Sequence, residues 1–359
     1  MCHRLSSTGF RRSPQRLEVL IHCPHSAMIS NLSLDVLSLI LNFIKASDIC
    51  RLWLTCPSMS HAVERTPLQL SLSASSWSPA HQCWLSHLHG LKSASIHFVD
   101  GAFGDTLPTA VLFKLPRGMD RLLLRCQLDL ANLLFLPPQL VDLRIPSVTF
   151  REENVIQDLP ASLTVLGVGF YRLTPKICAA LPRALTRLDI WSTQKKTKDG
   201  SYSLLPPNLL RLTCQFSSHL GTFEEGDLPP YLTNLYLLGN TKITDKGMAL
   251  LPKSITSIKI EGDAMTGVVF SEMKSLRAVH ISSSSYARDT MANLPISVTS
   301  VSFGYPPLRE HHFKQMPPRL LKLACEGNQI ELINAIQYLP ASITLLSINH
   351  KTIHVRLKK

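Results

Sequence analysis

A Leu-Pro pair that recurs along most of the 359-residue chain constrains its fold more than any other feature. Successive copies lie 21–24 residues apart, and Met316-Pro317 and Met273 occupy the two places where the pair itself is missing. Eleven units at so constant a spacing indicate a repeat protein, in which each unit contacts its neighbours and shares their core. The nine complete pairs are Leu115-Pro116, Leu136-Pro137, Leu159-Pro160, Leu181-Pro182, Leu205-Pro206, Leu228-Pro229, Leu251-Pro252, Leu294-Pro295 and Leu339-Pro340.

Three apolar residues, most of them aliphatic, follow each of these pairs at a fixed spacing, as Leu140, Leu143 and Ile145 do after Pro137. The alternation over the last two predicts a short strand with one buried face. A short helix-like segment usually comes next, and the following proline ends it because proline cannot continue a helix. One unit cannot bury its own aliphatic residues, so stacked units must share a continuous core.

This pattern resembles the leucine-rich repeat over residues 115–348, about two-thirds of the chain. The resemblance implies an α/β fold, a curved horseshoe-shaped solenoid with a parallel sheet on its concave side. The Leu-Pro-Ala-Ser-Leu-Thr sequence at 159–164 also resembles the FNIP type of repeat, although the Phe-Asn-x-Pro-Ile signature of that type is missing. We predict a leucine-rich-repeat domain of about eleven repeats over residues 111–359.

Composition and cysteine spacing limit the class of protein further. Leucine supplies 60 of 359 residues and charged types only 17%, which excludes a disordered chain and a coiled coil. The nine cysteines are scattered without a C-x-x-C pair, so we expect reduced thiols and a cytoplasmic location, with the nucleus as the alternative. The most apolar run, residues 34–44, contains Asp35 and Asn42 and is far shorter than the ~20 residues of a membrane span. We expect no membrane association.

Residues 32–63 lack the Leu-Pro period and have helical spacing instead. Leu34, Leu37, Leu41 and Ile44 form one apolar stripe, and Ser33 is a suitable N-cap. A second helix is predicted from Ser47-Asp48, and Pro57 ends it before a third short helix. A three-helix unit of this size is too small to be stable without a partner surface.

The order of features in this segment resembles an F-box. Two departures are Ser33, where the family usually has proline, and Met59, where it often has tryptophan. The resemblance implies docking on a Skp-type adaptor through the apolar residues Leu32, Leu37, Ile40, Ile44, Ile49 and Leu52. The alternative is a plain helical cap over the first repeat, which every solenoid needs. The residues that match the pattern are Leu32, Asp35, Val36, Leu37, Ile40, Phe43, Ile44, Asp48, Ile49, Leu52 and Cys56.

The remaining segments carry little recognisable chemistry. We predict that residues 1–27 are a disordered extension, 28–66 the F-box-like domain and 67–110 a bridging segment with an irregular repeat. No P-loop, G-x-S-x-G or H-E-x-x-H motif occurs, and Gly167-Val168-Gly169 falls inside a predicted strand. His87 and His89 alternate but lack further ligands. We therefore predict no catalytic residues, no cofactor and no metal, and hence a protein that is not an enzyme.

Together the two resemblances imply a substrate-receptor subunit of a Skp–cullin–F-box ubiquitin ligase. The F-box would dock on the Skp adaptor, and the repeats would bind the target protein. The alternative is a non-enzymatic leucine-rich-repeat interaction scaffold without a role in ubiquitin transfer. The net charge of +12 tolerates nucleic acid, but basic residues are spread along the chain and do not interleave with aromatic ones. Nucleic acid is therefore the weaker hypothesis.

The predicted concave face indicates where a target would bind, since residues between the buried aliphatic ones face that side of the sheet. Its first half is rich in arginine, whose planar donors suit carboxylate and phosphate groups, and Trp191 and Tyr236 are typical interface residues. Five arginines on strands ~5 Å apart would repel one another without a partner. We predict an acidic or phosphorylated ligand; the alternative is a solvated sheet face. The predicted positions are Arg121, Arg125, Arg144, Arg187, Asp189, Trp191, Arg211, Tyr236 and Lys259, followed by Glu261, His280 and Lys322.

Overall fold

One sheet runs through the part of the chain that the structure, a computed structural model, describes. Its fourteen strands lie side by side in chain order. β1 to β13 are parallel, whereas β14 pairs with β13 in the antiparallel direction. The described residues are 49, 68–73, 87–88, 91–97, 109–125, 128, 130–150, 154–170, 173–192, 201–216, 226–239, 243–261, 266–282, 290–304, 308–325, 336–349 and 351–354.

The strands correspond to the sequence repeats. In all ten repeats that have the proline, the strand begins at the fifth residue after it. The eleven predicted repeats are thus the eleven strands β3 to β13. The strand bounds are β1 Leu68–Ser73, β2 Leu91–His97, β3 Arg121–Arg125, β4 Asp142–Phe150, β5 Val165–Phe170, β6 Arg187–Ser192, β7 Arg211–Phe216, β8 Asn234–Leu238, β9 Ser257–Glu261, β10 Ala278–Ser282, β11 Ser300–Phe303, β12 Lys322–Cys325, β13 Leu345–Ile348 and β14 Lys351–His354.

The sheet begins earlier in the chain than the Leu-Pro pairs do. β1 and β2 are parallel to β3 and continuous with it, although they lie before residue 111, where we predicted the repeat domain to begin. Neither strand is preceded by a Leu-Pro pair: Pro67 comes directly before β1 and Gly90 before β2. The period therefore marks only the regular repeats, and the segment predicted as a bridge contributes two strands.

Short helical turns connect the strands and cover the core. Buried strand residues such as Leu188 and Leu212 and buried helix residues such as Ile177 and Met248 belong to one hydrophobic core. The strands and helices of this core follow the predicted order of an α/β leucine-rich-repeat solenoid. The helices are α1 Thr109–Phe113, α2 Pro175–Ala180, α3 Asp245–Ala249 and α4 Glu310–Lys314, and the 3-10 turns are Leu130–Phe135, Asn154–Asp158, Ser201–Leu204, Val268–Glu272 and Ile336–Tyr338.

The proline of each repeat begins a tight turn that sets the chain on its path into the strand. In all ten repeats with the proline, its carbonyl accepts a hydrogen bond of 2.9–3.2 Å from the N–H three residues later. Pro137 and Leu140 are one such pair, at 3.2 Å. Proline suits this position because it has no backbone N–H that would need an acceptor, and because its ring already fixes φ.

Serine and threonine of the Leu-Pro-x-Ser-Leu-Thr sequence join neighbouring repeats. The Ser162 hydroxyl donates to the carbonyls of Pro138 and Leu140 in the preceding repeat, and Ser254 and Ser342 make the same pair of contacts. Six threonine hydroxyls donate to the backbone carbonyl one repeat earlier, at 3.0–3.4 Å. These polar residues therefore stabilise the stacking of repeats. The threonines are Thr164, Thr186, Thr233, Thr256, Thr299 and Thr344.

A reversal of the chain ends the described sheet. Ile348 is the register partner of Lys351, so two residues connect β13 to β14. Asn349 in this connection has a φ of 47°, a left-handed conformation that asparagine tolerates better than most residues. The repeat pattern predicts only parallel strands, so this antiparallel pairing was not foreseen. It covers the free edge of β13, which would otherwise present unpaired backbone groups.

Candidate functional site: the open face of the sheet

Alternate strand residues form a face of the sheet that we call the open face. In β3, Leu122 and Leu124 are buried, whereas Arg121, Leu123 and Arg125 are exposed or half-buried on the other side. The same alternation continues in β8, β9 and β10. All nine residues predicted to bind a partner lie on described strands, and eight of them remain accessible on the open face.

The strand register places these residues in rows across the sheet. Arg187 of β6 lies beside Arg211 of β7. The next row runs from Asp189 through Thr213, Tyr236 and Lys259 to His280. The structure thus brings the predicted residues of β6 to β9 together on adjacent strands, while Arg121 and Arg125 lie on β3, three strands from β6.

Two of the five arginines carry their own counter-charge. Arg144 donates from Nε and Nη2 to the two carboxylate oxygens of Asp142, both at 3.0 Å. Arg187 donates from Nε to Oδ2 of Asp189 at 2.9 Å, and its Nη2 lies 2.8 Å from the same oxygen. The expected repulsion among five free guanidinium groups is therefore weaker than predicted. Asp142, whose role the sequence pattern did not indicate, occupies the outward strand position two residues before Arg144.

Asp189 is the predicted partner-binding residue that the structure corrects. Its residue surface is only 6% exposed, so it positions Arg187 instead of presenting a free carboxylate. Its second oxygen, Oδ1, is buried and has no hydrogen-bond partner in the described part of the chain, and the same holds for Arg211 Nε and Thr213 Oγ1. Unsatisfied buried polar atoms are uncommon, and here three of them lie on the neighbouring strands β6 and β7.

Arg211 and Tyr236 form a second pair on the open face. The Arg211 guanidinium carbon lies 4.5 Å from the centre of the Tyr236 ring, a cation–π geometry. Burial raises the pKa of the Tyr236 phenol, but hydrogen bonds to Ser257 and Asn234 and the nearby positive charges of Arg211 and Arg187 outweigh it, so the pKa lies below its usual value. This pairing fixes the arginine over a rigid ring, and among the described residues no carboxylate pairs with it.

Trp191 reaches over the glycine-containing strand β5. A Cβ added to Gly167 would lie 3.3 Å from Cη2 of Trp191 and 3.3 Å from Cγ of Arg144. The indole of β6 and the side chain of β4 therefore approach each other above Gly167, where any larger residue would push them apart. The Gly167-Val168-Gly169 sequence lies inside a strand, as predicted, and its first glycine makes room for the aromatic residue.

The later strands carry fewer charges on the open face. Lys259 Nζ lies 3.6 Å from a Glu261 oxygen on the same strand, and Glu261 also accepts a hydrogen bond from the Gly239 N–H at 2.9 Å. Burial and the neighbouring Lys259 charge lower the pKa of His280 below its usual value, although the Glu261 charge acts in the opposite direction. Lys322 is exposed on β12. The arginine and aromatic residues are thus concentrated on β3 to β8.

The predicted adaptor-binding residues lie mostly outside the described residues, namely Leu32, Leu37, Ile40, Ile44 and Leu52. Ile49 is described: it is helical and 0% exposed. Its side chain belongs to the hydrophobic core and has no accessible surface in this structure, and its contact with an adaptor stays a prediction.

Reactive groups are few in the described residues. Burial raises the pKa of the Cys178 thiol to about 12 and that of the Cys325 thiol to about 11, and it also raises the pKa of Cys214. All three are buried free thiols that stay protonated at neutral pH. No group of three potential metal ligands occurs in the described ranges. None of the helices in those ranges is both long and apolar enough to cross a bilayer.

Comparisons with known proteins give structural neighbours only. No family model and no curated protein matches the chain. CroV588, a circular leucine-rich-repeat protein, is 19% identical to this chain with a TM-score of 0.38. The match covers 73% of this chain and 44% of the CroV588 chain. A chain of the TLR13–ssRNA13 complex is 13% identical to this chain with a TM-score of 0.45. The match covers 87% of this chain and 55% of that one. This chain thus spans about half the length of either neighbour. Its own repeats and parallel sheet have the architecture of a leucine-rich-repeat solenoid.

Proposed function

We propose that the chain is the substrate-receptor subunit of a Skp–cullin–F-box ubiquitin ligase. In this proposal residues 28–66 dock on a Skp-type adaptor and the open face of the repeats binds the target protein. The F-box resemblance supports the first part. The observation that carries the second is the concentration of arginine and aromatic side chains on β3 to β8, because these residue types dominate interface hot spots.

The receptor itself performs no chemistry in this proposal, and a separate module of the ligase transfers ubiquitin. The buried, protonated thiols of Cys178, Cys214 and Cys325 agree with a binding role. We place this activity in the cytoplasm or the nucleus.

An acidic or phosphorylated segment is the target class we propose. On β3 to β7 the open face carries five arginines against two aspartates, so its charge balance is positive. Arg211 is held over Tyr236 and forms no ion pair with a carboxylate of the described residues, and Arg121 and Arg125 are exposed. Such a surface attracts an anionic partner at low salt and loses it as salt screens the charges.

A leucine-rich-repeat interaction scaffold without a role in ubiquitin transfer is the second candidate. The same open face supports it, since solenoids commonly bind partners through their extended sheet surface. The two candidates differ only in what residues 28–66 bind. In the scaffold those helices cover the first repeat and capture no adaptor.

Capture of the Skp adaptor by the full-length chain separates the two candidates. Leu37→Asp places a charge in the predicted apolar stripe, and we expect it to abolish co-purification of the adaptor. Leu210→Asp is the matched control, because Leu210 is 45% exposed in the repeats and lies far along the chain from the stripe. Equal adaptor capture by wild type and Leu37→Asp would contradict the F-box assignment, and failure of wild type to capture the adaptor would favour the scaffold.

A further inference from the structure

A recess lies in the open face where β2, β3 and β4 adjoin. Its volume is about 190 Å³. The recess is partly open to solvent and large enough to take one polar side chain. The lining residues are Ser93, Ala94, Arg121, Leu122, Leu123, Asp142 and Arg144.

Two arginines compete for one carboxylate at this recess. Arg121 is the register partner of Asp142, so their side chains start from neighbouring positions on adjacent strands. The two oxygens of Asp142 nevertheless accept their hydrogen bonds from Arg144, each at 3.0 Å. Arg121 has no ion pair or hydrogen bond to any side chain that the structure describes, and it is exposed. One positive charge is thus left without compensation at the rim of the recess.

The other lining groups would help to hold an anion. Arg144 uses Nε and Nη2 on Asp142, and a guanidinium has five N–H donors, so donors remain on its Nη1. Leu122 and Leu123 contribute apolar surface beside these donors, which strengthens a charge-assisted hydrogen bond relative to one in open water. Because the Asp142 carboxylate fixes the Arg144 side chain, little conformational entropy remains to be lost there when an anion binds.

We propose that this recess binds one anionic side chain of the target segment, a carboxylate or a phosphate, with the Arg121 guanidinium as its main donor. The proposal rests on the proposed binding of a target at the open face and assigns the anion to a particular place on that face. Arg144 acts beside Arg121 as a fixed second donor, and Asp142 positions it.

A degenerate peptide library tests this assignment. The full-length chain is immobilised and exposed to three sets of peptides that differ only in a fixed central residue, which is alanine, glutamate or phosphoserine. We expect wild type to retain one of the two anionic sets at least about tenfold better than the alanine set, since hydrogen bonds to charged groups contribute that much. The glutamate and phosphoserine sets distinguish a carboxylate from a phosphate.

Arg121→Ala should remove this preference. Arg117→Ala is the matched control: Arg117 is an exposed arginine of the same repeat and lies in the turn after Pro116, off the open face. We expect Arg117→Ala to keep the wild-type preference. An undiminished preference in Arg121→Ala, or an equal loss in Arg117→Ala, would overturn the proposal, since the anion would then be held elsewhere or by net charge alone.

Asp142→Asn provides a test in the opposite direction. It removes the negative charge that offsets the two arginines but keeps a side-chain oxygen that can still accept a hydrogen bond from Arg144 and hold it in place, so retention of the anionic set should rise several-fold. Asp158→Asn removes the same charge from an exposed residue of a 3-10 turn and should leave retention unchanged. Equal effects of the two substitutions would contradict binding in the recess.

The outcomes separate this proposal from the proposed function. Retention of all three peptide sets without preference would overturn the recess proposal alone. Retention of no peptide at all would overturn target binding at the open face as well. Adaptor capture enters neither measurement, because it depends on residues 28–66.

Discussion

The open face of β3 to β8, the charged half, differs from that of β10 to β13, the small-residue half, although both lie over the same core. The charged half presents five arginines with Trp191 and Tyr236. The small-residue half presents Lys322 and His280 among mostly small side chains. Those small residues are Ala278, Ser282, Ser300, Ser302, Gly304, Ala324 and Ser347.

The buried rows of the two halves are the same in kind. Leu188 and Leu212 of the charged half and Val301 and Leu323 of the small-residue half are all nearly or fully buried. Stacking therefore requires only the inward residues, and small open-face residues satisfy it as well as large ones. The fold does not require the arginines and aromatics of the charged half, and their concentration there supports the partner-binding site proposed above.

The largest expected effect tests whether the two halves share an equivalent core. Leu212→Ala and Leu323→Ala each remove a nearly fully buried leucine, and each should lower the free energy of unfolding by about 2–5 kcal/mol. Urea denaturation followed by circular dichroism measures this. A loss confined to one half would show that the halves do not depend equally on the buried row.

Charge reversal should instead affect the two halves differently. The triple variant Arg144→Glu, Arg187→Glu, Arg211→Glu should reduce capture of partners from a lysate by at least about tenfold, because it inverts the charge that attracts an anionic ligand. Wild-type capture should also fall at high salt.

The matched control adds three carboxylates to the small-residue half, as Ser300→Glu, Ser302→Glu and Ala324→Glu. Capture should stay close to that of wild type, and circular dichroism should show both triple variants folded. Unchanged capture by the arginine variant would move the binding site away from the charged half. Equal loss in both would remove the distinction between the halves.

Within the charged half, the two ion pairs should contribute unequally to stability. In the first pair, the side chain of Asp189 is 9% exposed and that of Arg187 is 30% exposed. The second pair is more accessible, since the side chain of Asp142 is 20% exposed and that of Arg144 is 36% exposed. Asp189→Asn should therefore cost about 1–2 kcal/mol, less than loss of a fully buried pair because Arg187 is still partly solvated. Asp142→Asn should cost less than about 1 kcal/mol. Thermal unfolding measures both, and the reverse order would contradict these burial differences.

The smallest expected effect concerns the bonds between repeats, which both halves contain. Ser254→Ala removes a hydroxyl that donates to the carbonyls of Pro230 and Leu232, and it should cost about 1 kcal/mol. Ser297 occupies the same place in its repeat, but its buried Oγ has no described partner. Ser297→Ala should therefore be neutral or slightly stabilising. Equal costs at the two positions would mean that the hydroxyl bonds do not join the repeats.

Most of the solenoid could be predicted because its determinants are local and repeated. Pro137 begins its turn through a carbonyl three residues from the Leu140 N–H, and the aliphatic residues follow at a fixed spacing. β1 and β2 could not be predicted in this way. Ser93 is the register partner of Arg121, and Gln69 is that of Ser93, but Leu88 and Glu64 stand five residues before them, where the later repeats have proline. The antiparallel β14 depends on the conformation of Asn349 and the free edge of β13, and neither of these is periodic.

The members of the candidate site were predictable, but their interactions were not. Strand alternation places Arg144, Arg187 and Arg211 on one face, as the structure shows. It does not reveal that Asp142 pairs with Arg144 or that Asp189 is buried, because these outcomes depend on side-chain rotamers and on neighbours 21–24 residues away. Gly167 was noticed as part of a motif, but its contact distance to Trp191 is a property of two adjacent strands.

By itself, then, the sequence determined the repeat, its strand positions, its buried row and the side chains of the open face, because periodicity fixes which residues point inward. Only the tertiary structure decided how the charges on that face are shared. Asp142 lies beside Arg121 on the sheet yet pairs with Arg144, and Arg121, at the rim of a recess, has no ion pair within the described ranges. The physical reason is that an ion pair forms where two side chains meet in space. Stacking of the repeats places three strands, each about one repeat apart in the chain, within a few ångströms of their neighbours in the sheet.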